Sequence, residues 1–69
     1  MRLSARNQLK GVVVDVVKGA TTSHVRIDVG GTVVTASVTN EAVADLKLAK
    51  GRVATAVIKA SDVLIAVEE

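Results

Sequence analysis

Thr39-Asn40-Glu41-Ala42-Val43-Ala44-Asp45-Leu46-Lys47-Leu48 is the one helical stretch in a chain that otherwise reads as strand. Thr39 or Asn40 offers a side-chain oxygen to the free N–H groups that open a helix over 41–48. Val43 and Leu46, with Ala42 beside them, supply its apolar stripe. Glu41 lies in the first turn and Lys47 and Lys50 near the end, which matches the helix dipole. Gly51 is placed to stop it. The position of this helix among the strands separates one all-β fold from another.

Upstream, Thr32 to Thr39 alternates. Val34, Ala36 and Val38 take one face, and Val33, Thr35, Ser37 and Thr39 the other. Gly30-Gly31 before it is a two-residue hairpin signal, because glycine reaches the positive φ of a primed turn. His24-Val25-Arg26-Ile27-Asp28-Val29 alternates too, with Val25, Ile27 and Val29 inward. Gly19-Ala20-Thr21-Thr22-Ser23 reads as a loop. Val12-Val13-Val14-Asp15-Val16-Val17-Lys18 is β-branched enough to be a strand. Val12, Val14 and Val16 fall on one face and Val13, Asp15 and Val17 on the other, so both faces are largely apolar. A strand of a small antiparallel domain normally turns one face to water, so a second apolar face suggests cover by another subunit.

Downstream, Arg52 to Lys59 is a fourth strand, Ala60-Ser61-Asp62 a tight connection, and Val63 to Val67 a fifth strand. Three strands, a helix and two strands give an all-β fold in the order of the OB-fold, a five-stranded, partly open barrel with one short helix between strands three and four. The order comes from the residues; closure into a barrel is fold-level analogy.

Sixty-nine residues make one domain, 1–69. There is no Cys, Phe, Tyr or Trp, yet 49% of residues are hydrophobic. A chain this short is marginal alone, and disulfides and Cys-based metal sites are excluded. The missing burial is expected from subunit interfaces, hence a homo-oligomer. No apolar run has signal-peptide or membrane-spanning length, so the expected location is the cytoplasm.

No catalytic set is legible, and no enzyme is expected. His24 is the only histidine, and Asp15, Asp28, Asp45 and Asp62 fall in four different elements with no paired spacing. Single-strand nucleic-acid binders stack bases on aromatic rings, and this chain has none. The net charge of +2 is mild for a nucleic-acid partner.

Oxyanion binding fits better. Ser4-Ala5-Arg6-Asn7-Gln8-Leu9-Lys10-Gly11 carries two cations, a hydroxyl and two amides with no carboxylate. Such donors suit a tetrahedral dianion, which needs convergent N–H and O–H groups and no neighbouring acid. The candidates are Ser4, Arg6, Asn7, Thr39, Lys59 and Ser61, with the backbone N–H groups of Ala60 and Ser61. Thr39 closes strand three and Lys59 strand four. If those strands are antiparallel, their ends need not meet within one subunit, and a site shared between subunits follows naturally.

The same opening string, with Val57-Ile58-Lys59-Ala60-Ser61, Val38-Thr39 and the Leu46-Lys47-Leu48 to Gly51 helix exit, resembles the molbindins, small Mop-type molybdate-binding proteins built from a single TOBE domain. The resemblance spans essentially the whole chain. It implies an OB-like TOBE fold, a hexamer built as a trimer of dimers, and molybdate or tungstate held between subunits for intracellular molybdenum storage or homeostasis. By motif, Ser4 and Arg6, Thr39, and Lys59, Ala60 and Ser61 would hold the oxyanion. A second oxyanion site would lie on the loop after strand one, here Lys18, Gly19, Ala20 and Thr21. Two departures stand out. Thr21-Thr22 replaces the Val-Asn of many relatives. Ala42 replaces a common Ser, so the pocket lacks a hydroxyl that a water or the Asn40 amide would have to supply. The alternatives are an OB-like oligomerisation module without ligand and, less favoured by the residues, a nucleic-acid-binding OB domain.

Overall fold

A computed structural model describes residues 6–68. Four strands form one antiparallel sheet: β1 (Asn7–Lys18), β2 (Thr22–Asp28), β3 (Val33–Thr39) and β4 (Val53–Ile58), in the order β3-β2-β1-β4. Helix α1 (Asn40–Asp45) follows β3, and a single 3-10 turn (Ala60–Asp62) follows β4.

The hairpin is where the sequence puts it. Gly30 and Gly31 both have positive φ, 85° and 96°. Val29 N–H donates to Thr32 O at 2.8 Å to close the turn, and Asp28 Oδ1 accepts the Gly31 N–H at 2.7 Å. Beyond it Val25 and Ile27 are buried against β3.

β1 differs from its sequence reading in two ways. It begins at Asn7 rather than Val12, because residues 7–12 pair with β4 from Asn7↔Ile58 to Val12↔Val53. It also carries a β-bulge: Val13 pairs with Ile27 but Asp15 with Arg26, leaving Val14 without a partner. An extra residue reverses the alternation of side chains. Val13 and Val16 therefore both face the core, and the grouping of Val12, Val14 and Val16 on one face is corrected. Gly11 lies where β1 meets both neighbours. A Cβ there would stand 2.1 Å from Asp28 O and 2.9 Å from Ile27 Cγ2, so only glycine lets β2 approach so closely.

α1 is shorter than the expected 41–48. Thr39, not Asn40, is its cap, with Thr39 Oγ1 accepting the Ala42 N–H at 3.0 Å. It ends in a Schellman arrangement, with Leu48 N–H donating to Val43 O (3.0 Å) and Lys47 N–H to Ala44 O (3.2 Å). Lys47, at φ 53°, takes the left-handed position, so the stop precedes Gly51. Val43 and Leu48 pack on the core while Leu46 is exposed, which corrects the apolar stripe. Loss of an N-cap oxygen costs about 1 kcal/mol. Thr39→Ala is accordingly expected to lower thermal stability by that amount, read by circular dichroism.

The fifth strand is corrected as well. Val63–Glu68 forms no strand and pairs with no described strand. Leu64 is 91% and Ile65 85% exposed. The sheet curls without a fifth strand, and an open apolar groove of about 840 Å³ remains between β2–β3 and β4, lined by Val25, Ile27, Val34, Leu48, Ala54 and Ala56. The buried apolar core is small: Val13, Val25, Ile27 and Ala56. The accessible surface is 5529 Å², against about 4,100 Å² from the size scaling of compact monomers of 7.1 kDa. Roughly 1,400 Å² of surface is therefore in excess of what one compact copy of this mass shows.

Candidate oxyanion site

β1 is antiparallel to both neighbours, and β2 is antiparallel to β3. β3 therefore runs with β1, and β4 runs against both. The ends of β3 and β4 fall at opposite ends of the sheet, along a β1 of 12 residues whose contour is about 36 Å long. This splits the candidate residues into two groups.

At the start of β1, the Asn7↔Ile58 pair ends the β1–β4 ladder. Asn7 Nδ2 donates to Ile58 O at 3.2 Å, so this amide braces the two strands and has one proton committed. Arg6 and Lys59 are the next residues outward, and both are exposed. An anion placed between these two cations would be attracted by both. After Lys59 the chain enters the 3-10 turn, closed by Asp62 N–H to Lys59 O (2.9 Å) and Val63 N–H to Ala60 O (3.2 Å). Among the described backbone hydrogen bonds outside helices and strands, none uses the N–H of Ala60 or Ser61. The structure therefore brings together Arg6, Asn7, Lys59, Ala60 and Ser61. Asp62, at the far end of the turn, is the one acid in this group. Ser4 lies outside the described residues.

At the other end, Thr39 closes β3 opposite Thr22, and Lys18 closes β1 opposite Ser23. The Thr39 oxygen accepts from Ala42 N–H. Capping engages a lone pair and leaves the hydroxyl proton free to donate to an anion. Thr39 thus shares a corner with Lys18, Gly19, Ala20 and Thr21, all exposed, and not with Arg6 and Lys59.

Behind this corner lie Ser23, which the sequence reading missed, and Asn40, which it took for a cap or a substitute donor and not for a brace of the loop. Ser23, placed in a loop by composition, belongs to β2 and is 1% exposed. Its hydroxyl donates to Asn40 Oδ1. Asn40 Nδ2 donates to Gly19 O (3.0 Å) and Ala20 O (3.3 Å). Both amide protons are committed there, so Asn40 is not free to replace the hydroxyl absent at Ala42. Period two would have found Ser23, which is in phase with Val25 and Ile27; nothing local marks Asn40 as a brace of the loop.

Among the described residues one ion pair occurs, and it is slight. Arg26 Nη1 and Asp15 Oδ2 are 3.7 Å apart and about half exposed, a pair worth little in water. No cluster of His, Cys, Asp or Glu suited to a metal occurs among the described residues, and no described helix is long and apolar enough to cross a membrane.

Comparison with known proteins gives a consistent set of matches. The family described as TOBE domain matches residues 3–65. A probable molybdenum-pterin-binding protein of Haemophilus influenzae is 46% identical over 69 residues, covering 99% of this chain and 100% of that protein. The solved structure of a molybdate-binding protein from Sporomusa ovata superposes with a TM-score of 0.91 at 36% identity, over 96% of this chain and 98% of that one. The cytoplasmic molybdate-binding protein ModG, solved with molybdate bound, superposes with a TM-score of 0.90 at 51% identity; the match spans 93% of this chain and 46% of that chain.

Proposed function

From the premise that the chain belongs to the TOBE domain family, of the kind found in molybdenum-pterin-binding proteins, we propose that it is a non-enzymatic oxyanion binder that takes up molybdate or tungstate as a homo-oligomer. The observation that carries this reading is the donor-rich, largely acid-free end of β1, where Arg6, Lys59 and the N–H groups of Ala60 and Ser61 gather. Binding is reversible capture by N–H and O–H donors, with no covalent step. Relatives named for molybdate and molybdenum binding support this choice of anion. The physiological role that fits is intracellular molybdenum storage or homeostasis, in the cytoplasm.

The placement of the two groups supports sites between subunits. Thr39 stands at the opposite end of the sheet from Arg6 and Lys59. A pocket that combines them draws on two copies, and anion binding is then coupled to assembly. The loop Lys18–Thr21 is the second site. The apolar side chains left exposed, Leu64, Ile65 and Val67 among them, are in keeping with cover by a neighbouring copy. A hexamer arranged as a trimer of dimers is the assembly that fits. Residues 63–67, all apolar and all exposed, and the open groove beside β4 support closure of a five-stranded barrel on assembly.

Two experiments test this reading. Calorimetry with molybdate is expected to show saturable binding, and an absence of heat at millimolar anion removes the function. Deleting 63–69 is expected to abolish the hexamer in light scattering. A truncated chain that still runs as a hexamer removes the tail from the interface.

The second reading, an oligomerisation module without ligand, is favoured by one observation. Ala42 offers no hydroxyl at the Thr39 corner, and the Asn40 amide is engaged elsewhere. It differs from the first in expecting a hexamer indifferent to molybdate.

A further inference from the structure

Asn40 holds the carbonyl oxygens of three consecutive loop residues. Its Nδ2 donates to Gly19 O and Ala20 O, at 3.0 and 3.3 Å, and its backbone N–H donates to Thr21 O at 2.9 Å. Ser23, buried beneath it, donates to Oδ1 and so fixes which end of the amide faces the loop. In a planar trans peptide the C=O of one residue and the N–H of the next point in opposite directions. With the carbonyls of 19, 20 and 21 turned toward Asn40, the N–H groups of Ala20, Thr21 and Thr22 turn away from it. Among the described backbone hydrogen bonds outside helices and strands, none uses the N–H of Ala20 or Thr21. The outer side of the loop is therefore a row of donors, with Lys18 next to it and no acid between Lys18 and Ser23.

We propose that Asn40 is the positioning residue of the Lys18–Thr21 oxyanion site, acting by withdrawing the loop's carbonyl oxygens so that its N–H groups face the anion. The inference rests on the oxyanion reading above. Rotation of a single peptide unit would set a carbonyl oxygen, with its partial negative charge, against a dianion. Gly19, at the start of the loop, imposes the least resistance to that rotation. The Asn40 amide blocks it at both Gly19 and Ala20. Because Asn40 directly follows Thr39, the same short segment that caps α1 also sets the loop.

The test compares the native protein with Asn40→Ala, Ser23→Ala and Arg6→Ala, using native mass spectrometry to count bound molybdate and calorimetry for affinity. Amide exchange at Ala20 and Thr21 is followed by nuclear magnetic resonance. Asn40→Ala is expected to keep the assembly and the anions that depend on Arg6, while binding at the loop weakens tenfold or more. Ser23→Ala should fall between, since the amide keeps its donors but loses its orientation. In the native protein molybdate should slow exchange at Ala20 and Thr21. That measurement needs no variant to fold, and unchanged exchange at both amides overturns the proposal. So does an Asn40→Ala protein that binds the native number of anions with native affinity. Equal weakening of the loop anions and the Arg6-dependent anions, in step with a fall in melting temperature, also overturns it, because a merely structural role does that. A native protein that takes up no molybdate sinks the oxyanion reading itself, and is distinguished by being visible before any substitution is made.

Discussion

Gly11→Ala is expected to destabilise the protein by at least about 3 kcal/mol, at the upper end of overpacking costs. The added methyl would stand 2.1 Å from Asp28 O and 2.9 Å from the Asp28 carbonyl carbon. Both are backbone atoms of β2, which cannot swing aside as a side-chain tip does. The third contact, Ile27 Cγ2 at 2.9 Å, belongs to one of the few buried residues of the core. Relief requires β1 and β2 to separate where the Val12↔Asp28 and Val13↔Ile27 pairs are made. A chain of this length has roughly 3–10 kcal/mol to lose. The melting temperature should fall by roughly 12 °C or more. A variant that melts within a few degrees of the native protein would show that β1 and β2 do not approach so closely.

Arg6→Ala is expected to weaken molybdate binding roughly 100-fold or more, through loss of two charge-assisted bonds worth about 1.5–3 kcal/mol each. Arg6 precedes the Asn7↔Ile58 pair and is exposed, so its removal takes away a guanidinium fork without opening the core. Arg6→Lys should recover part of the affinity, since a point charge remains but the fork does not. Both are read by calorimetry, with the melting temperature as a control. An unchanged affinity in Arg6→Ala removes the residue from the site.

Much of the fold was legible because its signals are local. Gly30-Gly31 between alternating runs specifies a hairpin whatever surrounds it, and Thr39 before Glu41-Ala42-Val43 specifies a capped helix. Val25 and Ile27 are buried as period two requires. The features that escaped depend on partners. The bulge at Val14 is a mismatch of register with β2, and a valine run gives no sign of it. The first five residues of β1 lack β-branched side chains and are strand because β4 pairs with them. Val63–Val67 has the composition of a strand but no partner within the described chain.

The candidate site divides in the same way. Arg6, Asn7, Lys59, Ala60 and Ser61 were legible as donors by type, and the β1–β4 register gathers them. Thr39 was legible too, but only the strand directions reveal that it stands at the other end of the sheet. Asn40 was legible as a polar residue at the helix start, but not its hold on carbonyl oxygens about twenty positions earlier in the chain.

Native mass spectrometry of the purified protein, titrated with molybdate and then with sulfate at equal concentration, reads assembly and anion uptake in one experiment. A hexamer that gains several molybdates and no sulfate is the expected result. A monomer would contradict the shared sites, and a hexamer that takes up neither anion would contradict the function.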